Sequence, residues 1–132
     1  MNTKKNYREQ LELALDSFGH IIENGEIIRT PAGLPKKLRL YVIDNSIVDV
    51  FLSPSGRYSY HWERRHLDET IYRHDNAPHQ EWDHLETYPK HFHHGTEKKE
   101  DIRNSYINDE PTKALKEFLD FVESEISNRF TK

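Results

Sequence analysis

The chain of 132 residues contains no cysteine, so disulfides, thiolate zinc sites and iron–sulfur clusters are excluded. Any metal would have to be held by imidazole and carboxylate. No apolar stretch approaches the roughly 18 residues that a membrane-spanning helix needs. The opening "MNTKKNYREQ" leads into an amphipathic stretch instead of an apolar run ending in small residues, which argues against a secretory signal. Excess positive charge is also missing: 19 Lys and Arg stand against 23 Asp and Glu, a formal charge of −4. Nonspecific duplex binding driven by net charge is therefore disfavoured. No internal repeat and no linker is visible, and the length suits one domain over residues 1–132. The expectation is a soluble, cytoplasmic protein with no membrane association.

What is present is a patterned, folded domain. Hydrophobic residues make up 34% and aromatic residues 11%, enough for a modest core. Tyr7, Leu11, Leu15 and Phe18 recur every three or four residues, with Gly19 as a natural stop, and predict an N-terminal amphipathic helix. The period then changes. "KLRLYVID" alternates Leu38, Leu40 and Val42 with polar positions, "DNS" makes a turn, and "IVDVFLS" is rich in β-branched residues, which together predict a hairpin. After the turn "SPSG", "RYSYHWER" sets Tyr58, Tyr60 and Trp62 on one face and Arg57, Ser59, His61 and Glu63 on the other. "TIYRHD" follows as a further strand, and "GHIIENGEIIRT" near the start adds a strand or hairpin. Near the end Leu115, Phe118, Leu119, Val122 and Ile126 form an apolar stripe behind Pro111 and a capping Asn108 or Asp109. The resulting fold class is α+β: an antiparallel meander of four to five strands flanked by N-terminal and C-terminal helices. Residues from Pro78 to about Glu110 read as a long irregular segment interrupted by a short strand around Lys90 to His94.

Six of the nine histidines lie between residues 72 and 95, in "YRHDNAPHQEWDHLETYPKHFHHG". His74, His79 and His84 are five apart, a spacing that fits neither one helix face nor one strand face, and Pro78 interrupts regular structure between them. No metal is favoured on that spacing. The alternative is a divalent transition metal held by His74, Asp75, His91 and His93, since His91 and His93 share a face if extended. Asp75 and Asn76 also have a plain structural use, because their side chains favour turns and Pro78 fixes the exit direction.

Imidazole titrates near pH ~6.5, so two of them on one wall can act as base and acid in metal-free cleavage of RNA, provided a cation stabilises the phosphorane charge. His61, Arg73, His74, His79, His91 and His93 are the candidate catalytic groups. Arg57, Tyr60, Arg64, Arg65 and Tyr88 are candidate substrate contacts, the arginines for phosphate and the aromatics for stacking on unpaired bases. Against this stands the expectation that Tyr58, Tyr60 and Trp62 are core residues of a half-buried strand. The acidic "EKKEDIRNSYINDE" reads as a solvated loop.

Taken in order, "YSYHWERR", "TIYRHDNAPHQ" and "LETYPKHFHHG" resemble the small TumE family of toxin components from prokaryotic toxin–antitoxin systems. The likeness spans roughly residues 36 to 95. It is carried by Tyr58, Tyr60 and His61, by Arg73, Asp75, Asn76, Pro78 and His79, and by Pro89, His91 and His93. Gln80 and the acidic "EWDHLE" depart from the family pattern. The resemblance implies a cytoplasmic growth-inhibiting protein paired with a small cognate antitoxin, and the histidine pattern makes the expected activity that of a metal-independent endoribonuclease. A metal-dependent hydrolase or nuclease and a noncatalytic interaction module are the competing expectations, and a homo-oligomer is compatible with each.

Overall fold

A computed structural model describes residues 2–130. Helix α1 (Thr3–Ser17) is capped by Asn2, whose Oδ1 accepts the Lys5 N–H at 3.0 Å. Seven strands follow: β1 (Ile22–Arg29), β2 (Pro35–Val42), β3 (Ile47–Leu52), β4 (Tyr58–Arg64), β5 (Thr70–Asp75), β6 (His91–Gly95) and β7 (Ile102–Asn104). One helical turn, α2 (Arg65–Asp68), joins β4 to β5, and α3 (Pro111–Phe130) closes the chain. Each strand pairs antiparallel with its sequence neighbour, so the sheet order is β1 through β7 without a crossover. No described helix is long and apolar enough to cross a membrane.

The α+β class and the meander agree with the pattern in the sequence, and the sheet is wider than the expected four to five strands. The expected strand near the start is β1, and the additional width comes from β6, the short strand expected around Lys90 to His94 outside the meander, and from β7 in the acidic segment expected as a loop. Three residues, Ile102, Arg103 and Asn104, are too few to show a period of two. Their strand exists because β6 offers an edge to pair with.

Both long helices lie on one face of the sheet, α1 against β1 and β2, α3 against β4 and α1. That face is lined by Leu38, Leu40, Val42, Val48, Val50, Leu52, Tyr58, Tyr60 and Trp62, all buried. Complete burial of a large apolar side chain stabilises by roughly 1.5–3 kcal/mol, so this layer is the principal source of stability. Gly25 permits the close approach of α1, since a Cβ there would lie 2.6 Å from Leu11 Cδ1. The stripe of α1 differs from expectation in one respect. Leu15 is exposed and Gln10 is buried. Gln10 Nε2 donates to the Pro111 carbonyl at 3.0 Å, tying the two helices together. The Tyr7 hydroxyl accepts the Leu52 N–H at 2.7 Å, fixing α1 to β3.

Turn chemistry sets the strand register. Asn45 adopts φ +70° in the β2–β3 turn, and Asp44 accepts the Ser46 N–H at 3.0 Å. Asn76 closes the other end of the meander, accepting from the Tyr58 N–H at 2.9 Å and donating to the Gly56 carbonyl at 3.0 Å. Asp75 accepts the Ala77 N–H at 2.9 Å, which terminates β5 and holds its carboxylate in place.

Candidate active site

Neither long helix covers the second face of the sheet. Because residues directly opposite one another share a face, the register lines up Arg39, Asp49, His61, Arg73 and His93 in one row across β2 to β6. The adjoining row brings Ser59, Asp75 and His91 side by side. Residues far apart in sequence thus become neighbours about one strand spacing apart, ~4.8 Å.

Arg73 is the centre of this cluster. Its Nη1 donates to His61 Nδ1 at 3.3 Å and its Nη2 to His93 Nε2 at 3.3 Å. A guanidinium only donates, so both facing nitrogens are unprotonated acceptors, and each imidazole carries its proton on the far side. For His61 that proton points to Glu63 Oε1, 3.1 Å from Nε2. For His93 it sits on Nδ1, which is buried without a hydrogen-bond partner among the described residues. Asp75 receives Arg73 Nε at 3.4 Å and His91 Nε2 at 3.1 Å. His91 Nδ1 in turn donates to the Pro89 carbonyl at 3.0 Å. The ring of buried Trp82, in the short turn at residues 80–82, lies 6.1 Å from the His91 ring and edge-on to His93 at 6.5 Å.

These surroundings separate the three imidazoles. Burial pushes the His61 pKa down, and the Arg73 charge adds to this against the opposing pull of Glu63. Burial, then Arg73 and His91, push His93 down to about 4. His91 behaves oppositely: burial lowers it, but hydrogen bonds to Asp75 and the Pro89 carbonyl outweigh that and raise it overall. Asp75 is pushed up by burial and down by more through His91, the Ala77 amide and Arg73. Glu63 is drawn down to about 2, chiefly by its hydrogen bonds to Arg65. The open face therefore presents two neutral imidazoles flanking a cation, with His91, its pKa raised, paired to the Asp75 carboxylate behind them.

Of the residues singled out in the sequence, His61, Arg73, His91 and His93 converge here, with Asp75 among them. His74 does not. It follows Arg73 on β5, so strand alternation points it to the helix side, where its ring stacks on Phe92 at 4.1 Å and its Nδ1 meets Ser105 Oγ at 2.7 Å. There it lines a 280 Å³ cavity with Phe92, Tyr106, Phe118 and Phe121. Burial pushes its pKa down to about 3. Arg64 also faces away from His61. It is buried, ion-paired with Asp44 and Asp68, and its guanidinium lies 4.8 Å over the Trp62 ring. Tyr60 belongs to the core and contacts Gln10. His79 stands at the margin, its exposed ring 6.4 Å from that of His91. Arg65 is on the rim, bonded to Glu63 at 2.6 Å. Arg57 is exposed in the turn before β4, and Tyr88 is half-buried in the turn before β6.

Three contributors were not chosen from sequence. Glu63 shared the strand alternation of His61 and was therefore legible. Trp82 and Glu97 come from irregular segments whose path no periodicity reveals.

Asp75, His91 and His93 each offer a ligand atom within 4.8 Å of the others, the only such group among the described residues. His74 is outside it. Asp75 and His93 already accept from Arg73, so a cation would have to displace or face that guanidinium. Comparison with known proteins gives a family model, described as Toxin TumE, that matches residues 10–126. No curated protein and no solved structure matches the chain.

Proposed function

Because this chain belongs to the TumE toxin family, we propose that its toxicity comes from metal-independent cleavage of RNA on the open sheet face. The observation that carries the proposal is Arg73 held between two imidazoles that each turn an acceptor nitrogen to it at 3.3 Å, beside a third, His91, whose two ring nitrogens both face acceptors, Asp75 and the Pro89 carbonyl. A scissile phosphodiester set on Arg73 would cancel part of the charge that lowers the pKa of His61 and His93. His61 Nδ1, released as Arg73 Nη1 turns to the phosphodiester, takes the 2′-hydroxyl proton, and Glu63, at Nε2, steadies the imidazolium that forms, as an orienting carboxylate does in other acid/base sites. The 2′-oxygen attacks phosphorus, Arg73, held in place by its hydrogen bond to His93, stabilises the phosphorane, and the P–O5′ bond breaks. His91, kept protonated by Asp75, supplies the proton to the departing 5′-oxygen, leaving a 2′,3′-cyclic phosphate. Trp82 has to lift for this, since His91 is only 1% exposed. A cognate antitoxin is the expected protein partner of the family role.

The test is cleavage of total RNA by purified protein in excess chelator. Activity is expected to persist, to yield cyclic phosphate ends, and to fall by about 10²–10³-fold in His61→Ala and in His91→Ala. Full activity in both variants would overturn the assignment.

The second reading is a metal-dependent nuclease built on Asp75, His91 and His93, favoured by their mutual proximity. It requires stoichiometric transition metal after purification without tag resin and loss of activity in chelator. Metal-free protein with full activity rejects it.

A further inference from the structure

Four of the five N–H donors of Arg73 are already engaged, both of those on Nη1 among them. Its partners are His61, His93, Asp75 and Glu97, the last at 3.1 Å from Nη1. Three of these cannot easily leave, because the side chains of His61, His93 and Asp75 are 12%, 8% and 15% exposed. Glu97 is different. Its side chain is 49% exposed, and its second oxygen lies 3.3 Å from Arg65 Nη1. One carboxylate thus bridges two guanidiniums, with its two oxygens divided between them, in the manner of a phosphate group. The segment that carries it follows Gly95, whose φ of +90° turns the chain away from β6. A cavity of 590 Å³ opens beside the bridge, lined by Arg65, Glu69, Ile71, Thr96, Glu97 and Lys98.

We infer that Glu97 occupies the phosphodiester position of the free protein, and that nucleic acid binds by displacing this carboxylate from Arg65 and Arg73. Exposed ion pairs are weak, so the bridge can yield to a ligand of the same charge and similar shape. Displacement frees the Nη1 of Arg73 that Glu97 held and presents Arg65, Arg73 and Lys98 to the incoming backbone. This rests on the RNA-cleavage reading for its place in catalysis, and its binding claim is tested independently.

The probe is a single-stranded deoxyoligonucleotide of eight thymidines, which offers phosphodiesters without a 2′-hydroxyl and so cannot be cleaved by the proposed route. Its affinity is measured by fluorescence anisotropy for the full chain, Glu97→Gln, Arg65→Ala, and Glu100→Gln as a control for net charge. Glu97→Gln is expected to bind on the order of fivefold tighter, Arg65→Ala several-fold weaker, and Glu100→Gln close to the unaltered chain. Unchanged or weaker binding by Glu97→Gln, or an equal gain in Glu100→Gln, overturns the inference. Absence of RNA cleavage with the expected binding order would remove the ribonuclease reading and leave the displaced carboxylate standing. Cleavage by the unaltered chain with no Glu97 effect would do the reverse.

Discussion

Arg73 and His74 are consecutive residues, and they do opposite things. Arg73 organises a cluster of three imidazoles and three carboxylates on the uncovered face. His74 is half-buried, its ring stacked on Phe92 and edge-on to Phe118 of α3, with one hydroxyl as its polar partner. His61 and Trp62 repeat the contrast on β4. The lesson is that composition within a strand says little about role. A histidine on the covered face is an aromatic plate with one hydrogen bond, whereas a histidine on the open face keeps its charge negotiable through its neighbours.

The sharpest test of this contrast is a pair of adjacent substitutions. Trp62→Ala removes a fully buried ring that contacts Tyr72 and Phe121 and donates to Ser46, and it is expected to cost about 3–5 kcal/mol, read from urea unfolding. His61→Ala, one residue earlier, is expected to lose about 10²–10³-fold of RNA cleavage while moving the urea midpoint far less. Equal destabilisation by both would erase the distinction between the faces. Arg73→Lys is expected to cost less than His61→Ala, about tenfold or more in activity, because a single ammonium cannot bond both imidazoles as the planar fork does. Unaltered activity in that variant would move the cation's role elsewhere.

Acid sensitivity comes next in size. Unfolded histidine titrates near 6.5, whereas His74 stays neutral to about 3 and His93 to about 4 in the folded chain. Each takes up its proton on unfolding, so its contribution is complete above pH ~6.5 and declines on acidification. Across pH ~6 to ~4.5 the loss is about 1.4 kcal/mol per pH unit for each. His91 has a raised folded pKa, so its contribution is complete below pH ~6.5 and is lost as pH rises from there through the higher folded pKa. His74→Phe is expected to remove about 1.4 kcal/mol per pH unit from the acid-side slope, measured by urea titrations at several pH values. An unchanged slope would mean that His74 is not the neutral plate described above. The smallest expected effect is that of a chelator, which should leave both the stability and the RNA cleavage of metal-free protein unaltered. A large loss would favour the Asp75, His91 and His93 metal reading.

The sequence by itself determined the layered class, the two helices and the alternation of β4, because periods of 3.6 and 2 are local consequences of backbone geometry and survive any tertiary arrangement. It also placed His61 with Glu63 and His91 with His93, since residues two apart on a strand share a face. It did not determine that these pairs meet. Their convergence depends on the register that pairs His61 with Arg73 and Arg73 with His93, and register is fixed by burial of the opposite face and by the Asp75–Asn76 turn. The separation of His74 from that cluster was implicit in the same alternation, but only after the limits of β5 were known. β7, Trp82 and Glu97 were decided by tertiary structure alone. Each sits in a segment without periodicity, and each takes its place because an edge, a pair of imidazoles or a pair of guanidiniums was already there to receive it.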